Sequence, residues 1–218
     1  MKNSNFEKKI KISLEKFVYL KNLFYFCKSL KTKNEKVMKE ENLKNYKVYL
    51  EKLKTYGIST EEIDSTLGKE LPTAGFSVYS DSKLNFEGSL ISAILKLTAY
   101  AVKINNLLEE DLKINKESLV KVCLLQHLSK IKSIIPNPNQ YEVDTRGKKF
   151  VYNNNIPNLK TGCFSLIMAE QYGCKFTLEE AEAITSIDRD EKDFTYHSSL
   201  FSTIVKQANE LVYQTSKK

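Results

Sequence analysis

Histidine is the first scarcity in this sequence: His127 and His197 are the only two, which leaves few imidazoles for a metal centre. Arginine is as rare. Arg146 and Arg189 stand against 32 lysines, so the formal charge of +7 is almost entirely lysine charge. Arginine is the side chain that grips phosphates and base edges in bidentate fashion, and its scarcity argues against a sequence-specific nucleic-acid reader. The basic balance reads instead as a solvated lysine surface, with non-specific nucleic-acid binding through residues 1 to 54 and 144 to 149 as a minor reading. Cys27, Cys123, Cys163 and Cys174 are far apart and form no C-x-x-C pair, so neither a zinc knuckle nor a disulfide framework is expected. The chain also lacks an apolar run of about 18 residues, a Gly-rich phosphate loop and a G-x-S-x-G elbow. No membrane span is expected. The opening "MKNSNFEKKIKISLEKF" interrupts its apolar residues with Lys and Glu, unlike a secretory signal, and the cytoplasm is the expected compartment.

What is present is helical. The chain has 218 residues and 41% hydrophobic content, enough for one domain with an extension. Residues 5 to 56 are nearly free of Gly and Pro and carry apolar residues at helical intervals, with "KTKNEK" as a polar break. They predict an N-terminal helical extension, residues 1–56, and the aromatic cluster "FVYLKNLFYF" within it suggests core or intersubunit packing. Gly57 is a plausible stop, and Ser59 to Glu62 has the capping-box form that starts a short helix. Gly68 to Ser89 concentrates turn formers and reads as a long ordered loop. Helices are then predicted over Leu90–Leu108 and, with Asn115 as N-cap, over Lys116–Lys132. "QYEVDTRGKKFVYNNN" alternates around "TRGK" as a β-hairpin would, with Tyr141, Val143, Phe150 and Tyr152 as cross-strand candidates. Further helices follow over Cys163–Gln171, from the capping box at Thr177–Glu180 through Ile187, and over Leu200–Gln214.

Four stretches carry a family resemblance. "LPTAGFSVYSDSKLNFEGSLISAIL" is similar to a turn-rich loop leading into a ligand-bearing helix. "ESLVKVCLLQHLSKI" is similar to a Leu-Leu-His-Asp-Leu-Cys-Lys-Ile stretch. "QYEVDTRGKKFVYNNNIPNLKTGCFSL" takes the place of a β-ribbon and Gly-His-Gly segment, and "FTLEEAEAITSIDR" matches the style of a helix ending in Arg-Trp-His. Together they resemble the HD-domain metal-dependent phosphohydrolases, in particular the small bacterial and phage-associated branch. The resemblance covers about residues 58 to 214 and implies a mainly α, HD-like helical bundle with one small β-hairpin over residues 57–218.

The resemblance also implies six metal-ligand positions. They fall on Ala93, Gln126, His127, Thr161, Ile187 and Asn209, with the register near Thr161 the loosest. An HD site uses imidazoles and carboxylates to hold one or two divalent ions that activate a water. Here five positions carry residues that bind a divalent ion poorly or not at all, and the sixth, His127, stands where an aspartate is expected. The expected function is therefore a catalytically inactive module, sensing a ligand or contacting a protein, with no cofactor. A residual pocket of His127, Lys130 and Asp188 is expected to take a phosphorylated small molecule, and the N-terminal aromatic helices a protein partner or a second copy. The alternative is a metal-dependent phosphohydrolase with rearranged ligands, in which His127 joins Gln126, Asp188 or Asp190 around Mn²⁺, Fe²⁺, Zn²⁺ or Mg²⁺. His197 reads as a surface or capping residue, and "DRDEKD" (Asp188 to Asp193) as a solvated connection.

Overall fold

The computed structural model describes residues 37–189 and 198–216. The aromatic cluster of the N-terminal extension, the "KTKNEK" break, Asp190 and His197 lie outside them. Residues from Asn42 onward form one unit, which carries the fold and the cleft. Among the described residues no helix is long and apolar enough to cross a membrane.

Among the described residues the unit is mainly α with one two-stranded sheet. Helix α1 covers 37–55, and α2 (Glu61–Leu67) follows Gly57, whose φ of 72° is a left-handed conformation suited to glycine. The expected capping box is not formed: Thr60 occupies the N-cap and no side chain accepts an amide there. Helix α3 (Ser89–Asn106) is the central element and packs chiefly on α4 (Lys116–Leu125) and α9 (Leu200–Gln214). Its apolar face, including Leu90, Ile94, Leu97 and Ala101, is buried with Tyr49 and Leu53 of α1 in one core. Asn115 caps α4 as its sequence predicts, accepting from the amides of Glu117 and Ser118.

The loop from Gly68 to Gly88 is ordered because it is tied to the start of α3. The Phe76 amide donates to Ser89 Oγ at 2.8 Å, the Leu90 amide to the Ala74 carbonyl at 3.1 Å, and Asn42 Nδ2 to the Glu87 carbonyl at 2.9 Å. Gly88 sits at the N-cap with φ 82°, and a Cβ there would come within 2.3 Å of the Asn42 side chain. Phe76 is thereby fixed against the bundle.

Two sequence expectations are corrected. The helix from Lys116 does not continue to Lys132. It ends at Leu125, passes through a tight turn and resumes as the short α5 (Lys130–Ser133). The cause is tertiary: the Ser129 amide donates to Ser165 Oγ of α7 (Thr161–Gln171) at 3.0 Å, and Ser129 Oγ donates to the Thr161 carbonyl. The β-ribbon exists, but its first strand is β1 (Ile134–Pro136), paired antiparallel with β2 (Phe150–Tyr152) in the register Ile135 to Val151. Tyr141 and Val143 are not strand residues; they lie in α6 (Gln140–Arg146). Asn139 accepts the amides of Tyr141 and Glu142 at its start, and Gly147 closes it with φ 64°, so local capping outweighs the alternation.

The remaining helices begin close to their predicted starts. Helix α7 starts at Thr161, and α8 (Leu178–Thr185) opens with the capping box, Thr177 and Glu180 exchanging both hydrogen bonds. It gives way to a 3₁₀ turn over Ser186–Asp188. Glu180 is buried and also pairs with Lys121 of α4 at 2.5 Å, which fastens α8 to the bundle.

Candidate functional site

The side chains marked out in the sequence come from six segments, of which α3 carries Ala93 and α7 opens with Thr161. The turn after α4 supplies Gln126 and His127, α5 begins with Lys130, the 3₁₀ turn supplies Ile187 and Asp188, and α9 supplies Asn209. His127 and Asn209 are separated by 82 positions, yet their side chains meet at 2.7 Å, from Nε2 to Oδ1. Asn209 Nδ2 in turn donates to Gln126 Oε1 at 2.9 Å. With the Asn209 amide so oriented, its Oδ1 accepts from His127 Nε2–H and the imidazole is a neutral Nε2–H tautomer.

Around this triad lies a cleft of about 390 Å³. His127, Lys130, Thr161, Ile187, Asp188 and Asn209 all line it, so six of the eight expected residues share one wall system. Ala93 and Gln126 do not. Ala93 is buried in the α3 core, and Gln126 is fully buried behind Asn209. The cleft also contains residues without an assigned role in the sequence reading: Arg189, Lys206, Glu210 and Tyr213. Three of these had a signal. Lys206, Asn209, Glu210 and Tyr213 follow i, i+3, i+4, i+7, one face of α9, while Ile204, Val205, Ala208 and Val212 bury the other. Phe76, whose ring meets His127 edge-on at 5.0 Å between centroids, comes from the loop and had none.

Electrostatics follow from burial. His127 is 4% exposed, and desolvation, reinforced by the charge of Lys130, lowers its pKa to about 3 against the pull of the Asn209 hydrogen bond. The imidazole is uncharged at neutral pH. Its Nδ1 has no partner, and neither does Gln126 Nε2. Lys130 is lowered to about 8 by burial, opposed by Asp188. Its ammonium donates to the Phe76 carbonyl at 3.1 Å and lies 4.4 Å from the Phe76 ring centroid.

Asp188 is not part of a solvated connection. Its Oδ2 accepts the Gly162 amide at 2.5 Å at the head of α7. Burial raises its pKa, and the amides of Gly162, Cys163 and Thr161 together with Lys160 oppose that rise. The carboxylate is thus employed as a helix cap. Arg189 pairs with Glu182 at 2.9 Å, and Glu182 also accepts from Ser199 and Ser202 at the start of α9.

A divalent cation does not fit the donor set of the described residues. Such an ion needs several anionic or imidazole donors converging at about 2.0 to 2.6 Å. Ala93 and Ile187 offer no donor, Gln126 and Asn209 are neutral amides spent on one another and on His127, and Asp188 is held by α7. Among the described residues no three His, Cys, Asp or Glu side chains form a group able to hold a metal. Compared with models of protein families, with curated proteins and with solved structures, the chain matches none of them.

Proposed function

We propose that this chain is a degenerate HD-type domain that keeps a ligand cleft and has lost metal-dependent hydrolysis, working in the cytoplasm as a ligand-sensing or protein-contact module. The observation that supports this most is the Gln126–Asn209–His127 triad. Three positions that the HD resemblance assigns to metal ligands adjoin one another, and four of their six polar side-chain atoms are spent on hydrogen bonds within the triad. A polar cluster of this kind fixes the junction between α9 and the turn after α4. The cleft above it has the size of a small-molecule site, and Lys130 and Lys206 give it positive charge suited to a phosphorylated small molecule. The aromatic N-terminal segment is the proposed surface for a protein partner or a second copy.

The test is an assay of the full chain with Mn²⁺ or Mg²⁺ against nucleoside triphosphates and bis(p-nitrophenyl) phosphate, beside a thermal-shift screen of phosphorylated metabolites. The expected result is no turnover above that of His127→Ala, with stabilisation by at least one metabolite that is lost in Lys206→Glu. Turnover that falls to background in His127→Ala would establish hydrolysis and overturn the reading.

A further inference from the structure

Lys130 stands apart from the paired lysines of the fold. Lys113, Lys121, Lys132 and Lys148 each lie within ion-pair distance of a glutamate, whereas Lys130 forms no ion pair among the described residues. Asp188 lines the same cleft, but its carboxylate is committed to the head of α7. The neighbouring His127 is repelled by the Lys130 charge when protonated and offers no counter-ion in either protonation state. What holds the Lys130 nitrogen is a single carbonyl, that of Phe76, and the face of the Phe76 ring. A lysine in such surroundings, desolvated and without an ion-paired carboxylate, is an activated nucleophile in other settings.

We propose that Lys130 is a carbonyl-reactive lysine and that the cleft takes a small oxo acid, held as an imine on Nζ. One Nζ hydrogen remains on the Phe76 carbonyl while the nitrogen lone pair attacks the carbonyl carbon. The C–N bond forms, the C=O π bond breaks, and a proton passes from nitrogen to oxygen to give a carbinolamine. Loss of water then gives the imine, so that amine and carbonyl yield imine and water with no change of oxidation state. Burial favours the neutral amine that this step requires. His127 Nδ1 is a buried acceptor on a cleft residue without a partner, suited to a hydroxyl such as that of the carbinolamine. Lys206, on the cleft face of α9, offers charge for the acid group.

The proposal depends on the cleft and its amine, whether or not the chain binds metal or hydrolyses anything. It is tested by treating the full chain with limiting glyoxylate and cyanoborohydride at about pH 7.5, then mapping the reduced adducts by peptide mass spectrometry. Lys130 is expected to be labelled at least about tenfold faster than the surface residues Lys44 and Lys47, because burial favours its neutral amine and the cleft holds the oxo acid beside it. The selectivity should vanish in denaturant. Lys130→Arg, checked for an unchanged melting profile, should remove the preferred adduct. Labelling of Lys130 no faster than of Lys44 and Lys47 would overturn the proposal.

Discussion

At the scale of single residues, His127 governs how the molecule responds to acid. Its folded-state pKa of about 3 lies below the ordinary value of 6.5, so the unfolded chain takes up the proton first. The stability associated with the neutral imidazole is complete above pH 6.5 and is lost as pH falls toward 3. The groups that face it are Lys130, Phe76, Asn209 and, through Asn209, Gln126, and none is a carboxylate that would rescue the charged form. Between pH 7 and pH 5 this one site should cost about 2 kcal/mol of folding stability. Urea titrations at the two pH values measure it, and His127→Gln should show a loss smaller by that amount. An unchanged pH dependence in His127→Gln would mean that the imidazole is not buried in the neutral form.

At the scale of elements, two glycines with left-handed backbones should behave differently. Gly88 has the Asn42 side chain against it, and Gly147 has no atom within 4 Å of an added Cβ. Gly147→Ala should cost about 1 kcal/mol, the conformational strain alone. Gly88→Ala should cost roughly 2 to 3 kcal/mol, because Asn42 must move and release the Glu87 carbonyl as well. Thermal or urea unfolding of the two variants checks both. Elements defined by local capping and amphipathic spacing were legible in the sequence: α3, α8 with its Thr177–Glu180 box, and α9. Those set by distant partners were not. The end of α4 depends on Ser165, 36 positions beyond Ser129, and nothing in the local run signals it. The first strand was misplaced because Asn139 and Gly147 impose a helix on a segment whose apolar residues alternate.

At the scale of the whole molecule, the cleft joins segments that sequence order keeps apart. His127 and Asn209 could be singled out from the sequence because the family resemblance supplied a register anchored by Lys130, and Asp188 only as an acidic neighbour. Arg189, Phe76 and the capping role of Asp188 emerged only once α7, α8 and the loop before α3 were in place. Installing the His-Asp order of the resemblance, by Gln126→His with His127→Asp, should not create metal-dependent phosphodiester hydrolysis. Ala93 and Ile187 would still lack donors, Asn209 would still be neutral, and Asp188 would still cap α7. Turnover above the wild-type background in that double variant would show that the missing donors at these positions are not what limits the site.

The most direct test of a cleft without metal chemistry is metal content by mass spectrometry, on full-length protein purified without chelator and then offered Mn²⁺, Fe²⁺, Zn²⁺ and Mg²⁺. The donor set around His127 predicts far less than one tightly held ion per chain, and no further loss in His127→Ala. Close to one ion per chain, lost in His127→Ala, would contradict it and favour the alternative of a metal-dependent hydrolase with rearranged ligands.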